Sequence, residues 1–152
     1  MNAHIAEIEE VLARAAERGQ IKGLKYAGEI MPVEAHRLAG EAGAKIIDVR
    51  TPVEYASIGH IPGTPLVEWK RLPSGEASAE FLDPLLKQYA RDDMLLFLCR
   101  SGVRSHWAAE AATRAGFMCA YNILEGFEGD ADASGQRGNL GGWRKAGLPW
   151  EK

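Results

Sequence analysis

The chain has 152 residues, 46% of them hydrophobic, and a formal net charge of -3. One compact core is expected; no run of about 18 apolar residues could span a membrane, and the acidic balance argues against nucleic-acid or membrane-surface partners, which want a basic face. The two cysteines, Cys99 and Cys119, lack C-x-x-C spacing, so neither a disulfide framework nor a zinc site is expected and both thiols are read as reduced.

The N-terminus, "MNAHIAEIEEVLARAAERGQ", carries acidic residues where a secretory signal would need a basic and then an apolar segment, so the expected compartment is the cytoplasm. Ile5, Ile8, Leu12 and Ala15 keep helical spacing and Arg14 and Arg18 precede Gly19, which predicts an amphipathic helix as an N-terminal extension over 1–22, before a domain over 23–152. Its apolar stripe suits docking on the domain or pairing with a second chain as a homodimer, and the sequence does not choose. "MPVEAHRLAGEAG" fits a second helix with Pro32 just inside its start. "AKIIDVR" reads as a buried strand. "TPVEYAS" opens a helix with Thr51 as N-cap and Glu54 as the acid of a capping box. "GHIPGTPLVEW" is turn and extended chain, and Asp83 before Pro84 predicts the start of the helical "PLLKQYAR". Strands follow at "MLLFL" and "MCAYNIL", with a helix from about Arg104 to Arg114 between them, closed by Gly116. From Gly126 onward, seven glycines and little periodicity predict a long surface loop and then a short terminal helix near Trp143. Alternating strands and helices point to an α/β fold with a central, mainly parallel sheet flanked by helices on both faces.

Ligands of such sheets bind beyond the carboxyl ends of the strands, where backbone amides gather at the next helix. Cys99 stands at such an end. Arg100, Ser101, Gly102, Val103 and Arg104 follow it as a short loop whose amides and guanidinium groups could cradle a small anion. Amide dipoles and fixed positive charge favour a thiolate, the reactive form of cysteine. Burial statistics alone would make Cys99 the last core residue of its strand; the strand, loop and helix around it favour the nucleophile instead. Cys119, inside a strand pattern, is read as a core thiol.

"IIDVRTPVEYASIGHIPG", "LCRSGVRS" and "GFEG" followed by "GW" together resemble the rhodanese homology domain in its single-domain sulfurtransferase form, from about Ile30 to Trp150. The resemblance implies a rhodanese-like fold and a two-step transfer. The Cys99 thiolate would take a sulfane sulfur from thiosulfate or a persulfide donor, then pass it to a thiophilic acceptor such as cyanide or a thiol. Loop amides with Arg100 and Arg104 would hold the donor, and no metal or organic cofactor is needed. Asp48 would brace the loop through Arg104, Arg50 would fix the loop or pair with Glu54, and Ser105 would support it. His60 is read as structural, His106 as a surface or packing residue, and Trp69 as either a pocket wall or a core aromatic.

Two rivals remain. Cysteine phosphatases and arsenate reductases resemble this architecture with five residues between Cys and Arg, whereas here Arg104 is itself the fifth residue after Cys99; the smaller ring suits a sulfur atom better than a tetrahedral phosphate. A non-catalytic binding or regulatory module would resemble the fold but lose the nucleophile, and Cys99 is intact.

Overall fold

The computed structural model describes residues 3–152. Four short strands, β1 (Gly28–Ile30), β2 (Lys45–Asp48), β3 (Met94–Leu98) and β4 (Cys119–Ile123), form one parallel sheet in the spatial order β1-β4-β3-β2. Pairs such as Ile47 with Phe97, and Phe97 with Asn122, fix the register. Parallel strands need long crossovers, and here these contain α2 (Pro32–Glu41), α3 (Ala79–Gln88) and α4 (Val103–Arg114), with α1 (Ala3–Lys22) ahead of β1.

Successive residues of a strand face opposite sides, and β3 uses both. Leu96 and Leu98 pack with Ile30, Ile123, Val11 and Ala15 of α1, and Ala35 and Leu38 of α2. Leu95 and Phe97 pack with Ile47, Ala120, Phe81 and Leu85 of α3, and Ala108, Ala109 and Ala112 of α4. Cover on both faces explains why "MLLFL" is an unbroken apolar run rather than an alternating one.

The N-terminal helix packs part of its apolar stripe on the domain, with Ile8 and Leu12 partly buried and Ile5 exposed. Val11 and Ala15 are buried in the shared core. Arg18 donates to the Glu29 carbonyl and pairs with Glu34 of α2 at 2.8 Å, and Lys22 pairs with Glu29 at 2.7 Å.

Three expectations need correction. The sequence reading has no strand at Gly28–Ile30; a three-residue edge strand with a charged centre carries no periodicity, and only its pairing with β4 creates it. The third helix begins at Ala79 rather than after Asp83. Phe81 and Leu82 donate backbone bonds to the Ser78 carbonyl, and Phe81 and Leu85, four residues apart, are both fully buried, so core packing carries the helix through Pro84. The tail is neither a surface loop throughout nor ended by a helix. Residues 143–147 form turns, while Phe127 and Trp143 are fully buried; the Trp143 indole N–H donates to the Pro149 carbonyl at 2.8 Å.

Candidate active site

β3, an inner strand, delivers the chain to Cys99 at the carboxyl end of the sheet, and α4 starts four residues later at Val103. Gly102 makes that turn possible: its φ of 105° lies in the left-handed region open to glycine. Its N–H then points back, donating to Cys99 Sγ at 3.1 Å. The first amides of α4 have no carbonyl partner one turn earlier, and the helix dipole adds partial positive charge at this end. The sulfur therefore sits where negative charge is stabilised. Cys99 as a whole is only 1% exposed.

A second layer holds the turn from below. Phe127 N–H donates to the Cys99 carbonyl at 2.8 Å, and Glu128 and Gly129 N–H groups donate to the Arg100 carbonyl. Gly126 lets this segment approach so closely: a Cβ there would lie 2.5 Å from the Arg100 carbonyl carbon. The Arg50 guanidinium lies 4.4 Å from the Phe127 ring centroid. Arg50 is itself locked to Asp48 at 2.8 Å and to the Gly59 carbonyl at 2.7 Å, with both side chains of the pair fully buried.

The supporting pairs differ from those expected. Asp48 grips Arg50, not Arg104, and Arg50 does not reach Glu54. Arg104 is instead held by Glu54 through two bonds of 2.6 and 2.9 Å, between residues 50 positions apart. The physical reason is depth. Asp48 ends β2 fully buried and is met by the arginine two residues on, while Arg104 on the first turn of α4 reaches the half-buried turn at 54–58. That segment is a single π-helical turn, and it keeps the capping box: Thr51 N–H donates to Glu54, and Glu54 N–H donates to Thr51 Oγ1. Burial alone would raise the Glu54 carboxyl, but bonds from Arg104 and Thr51 outweigh it and hold the group down to about 2.

Ser105 is fully buried behind the sulfur. Its Oγ lies 3.2 Å from Cys99 Sγ and 2.5 Å from Asn122 Oδ1, and Asn122 Nδ2 donates to the Gly102 carbonyl at 3.1 Å. Arg100 is exposed, and no hydrogen bond or ion pair engages its guanidinium among the described residues. Ser101 is half-buried and Val103 is 64% exposed. Val103 and Arg104 line a cavity of about 360 Å³ with Trp69, Arg71 and Trp107, whose indole is 43% exposed. Trp69 serves both roles weighed for it, since it also packs edge-on against Phe81 at 4.9 Å. His60 stacks on Tyr55 and donates through Nδ1 to the Tyr55 carbonyl, and His106 Nδ1 lies 2.7 Å from the Tyr26 hydroxyl. Cys119 opens β4, half-buried, with its side chain packed against the α1 and α2 side of the core.

The sequence model of the rhodanese-like domain family matches residues 31–133, more than half of the chain. The chain belongs to that family. The crystal structure of Rv0390 from M. tuberculosis superposes on this rhodanese-like domain with a TM-score of 0.69 at 42% identity, covering 83% of this chain and 98% of that one. A Rickettsia rickettsii protein, the uncharacterized RP600 homolog, is 34% identical over 119 residues, 75% of this chain and 88% of its own. The thiosulfate sulfurtransferase GlpE of Stutzerimonas stutzeri is 33% identical over 99 residues, 65% of this chain and 80% of its own. The family supports chemistry of the sulfurtransferase type.

Three residues that pack on the 99–105 turn were not legible as its neighbours in the sequence. Asn122 was signalled only as a polar residue in an apolar strand, Phe127 by the glycine beside it, and Glu54 was already accounted for by its capping box.

Proposed function

We propose that this protein is a sulfurtransferase that carries a sulfane sulfur on Cys99, with thiosulfate or a persulfide as donor and cyanide or a thiol as acceptor. One observation carries the reading: the only residue of the 99–105 turn able to act as a nucleophile at sulfur accepts the Gly102 amide and sits at the positive end of α4. The Stutzerimonas relative named a thiosulfate sulfurtransferase supports the choice of donor.

In the first half-reaction the Cys99 thiolate attacks the outer sulfur of thiosulfate. A sulfur–sulfur bond forms to Cys99, the bond within thiosulfate breaks, and sulfite departs with its electron pair. In the second, the acceptor attacks the outer sulfur of the persulfide, takes it, and returns Cys99 as thiolate. No electrons are gained or lost overall. Exposed Arg100 is placed to meet the anionic donor, and the Gly102 amide to stabilise charge on sulfur. The Arg104 guanidinium, held by Glu54, fixes the first turn of α4 and contributes its charge from there. The acceptor approaches over the cavity walled by Trp69 and Trp107.

Steady-state thiocyanate formation from thiosulfate and cyanide tests the proposal. Parallel lines in double-reciprocal plots, the mark of a two-step exchange, are expected, with loss of turnover in Cys99→Ala. Turnover that survives in Cys99→Ala would overturn it.

A further inference from the structure

Ser105 has one hydroxyl proton and two neighbours able to take it. Asn122 Oδ1 lies at 2.5 Å and Cys99 Sγ at 3.2 Å. The Asn122 amide is not free to turn over, because its Nδ2 donates to the Gly102 carbonyl; reversal would set two oxygens against each other there. Oδ1 is thus the atom that faces Ser105, and it takes the proton. Ser105 then offers sulfur only lone pairs, so the contact at 3.2 Å is made by the Cys99 S–H. A thiolate requires the opposite arrangement, with the hydroxyl turned to sulfur and Oδ1 left facing Oγ without a proton between them. Cys99, Ser105 and Asn122 are all buried, so water does not relieve the conflict.

We propose that Asn122 is a positioning residue that sets the direction of the Ser105 hydroxyl and so governs how readily Cys99 gives up its proton. This rests on the reading of Cys99 as nucleophile. Gly102 N–H and α4 favour charge on the sulfur, and Asn122 opposes it by competing for the one mobile proton. The hydroxyl follows the reaction: it turns to the thiolate before attack and back to Asn122 once Cys99 Sγ is bonded to a second sulfur.

Other charges surround the site. Arg104 with Glu54 stands on one side, the buried Asp48–Arg50 pair below, Arg100 and Glu125 outside, and Glu128 with Arg144 in the following segment. The variants below alter none of them.

The test is the pH profile of Cys99 alkylation by iodoacetamide in a Cys119→Ser background, with thermal unfolding as a check of folding. Asn122→Leu, which keeps the volume, is expected to lower the midpoint by about one pH unit, because the freed hydroxyl donates to the thiolate. Ser105→Ala is expected to raise it, Ser105→Thr to restore the parent value, and Asn122→Leu to add nothing in the Ser105→Ala background. An unchanged midpoint in Asn122→Leu, or a shift that persists without the hydroxyl, overturns the proposal. Should Asn122→Leu fail to fold, Ser105→Ala and Ser105→Thr decide, and equal midpoints in both overturn it. Persulfide loading from thiosulfate is followed on the same proteins. No loading in the parent, with the shifts present, contradicts the sulfur-transfer reading and supports the role of Asn122.

Discussion

The turn at 99–105 and the tail at 126–152 meet back to back, yet they are held by different means. In the turn the contacts to the sulfur are local: Gly102 donates to Cys99 three residues earlier, and Ser105 lies six residues on. The tail is held by distant partners. The Trp143 indole packs edge-on against His36 of α2, and Phe127 lies under Arg50. The difference teaches a division of labour: the proposed nucleophile resides in a short turn, and the rigidity of that turn comes from residues far away in sequence.

If that division is right, changes in the turn should cost activity and spare stability, and changes in its supports should do the reverse. Cys99→Ala gives the largest effect, a loss of thiosulfate:cyanide turnover of roughly a thousandfold or more, about 4 kcal/mol in barrier, with an unfolding midpoint in urea close to that of the parent. A large stability loss in this variant would break the comparison from one side. Trp143→Ala tests the other side. Removal of a fully buried indole is expected to cost about 3–5 kcal/mol in urea unfolding, and any turnover left should belong to the folded fraction.

Arg50→Met leaves the fully buried Asp48 without its guanidinium partner, holding only the backbone N–H of residue 50, so a loss of about 3 kcal/mol is expected by the same measurement. Replacing both members, Asp48→Leu with Arg50→Met, should recover part of that loss. The half-buried Arg104–Glu54 pair has the smallest effect. The folded carboxyl is held near 2, below its ordinary value of 4.5, so the pair contributes stability above about pH 4.5 that is lost as the pH falls toward about 2. Glu54→Gln is therefore expected to lose on the order of 1 kcal/mol at neutral pH, with a shallower fall in Tm across that acid window.

Legibility in the sequence followed the same division. Strand, turn and helix from Leu95 to Arg114 could be read because each rests on neighbours: an apolar run, a glycine that admits a left-handed turn, and a helix with an alanine face. Thr51 and Glu54 were equally plain, three residues apart. Arg104 was given the wrong partner because Asp48 and Glu54 are both acidic and far away in sequence, and only the depth of the β2 end separates them. Asp83 before Pro84 carried a valid helix-start signal, yet Phe81 and Leu85 overrode it through burial. Trp143 sits in a glycine-rich stretch without period, so nothing local told of a core residue. Asn122 acquires meaning only when β4 is laid beside β3 and its amide comes to lie behind Ser105.

The most direct measurement is the intact mass of the protein after brief exposure to thiosulfate and then to cyanide, with Cys99→Ala and Cys119→Ala in parallel. The expected result is a gain of one sulfur atom that cyanide removes, present in the parent and in Cys119→Ala and absent from Cys99→Ala. A gain retained in Cys99→Ala, or no gain in any of the three, would contradict sulfur transfer from thiosulfate through Cys99.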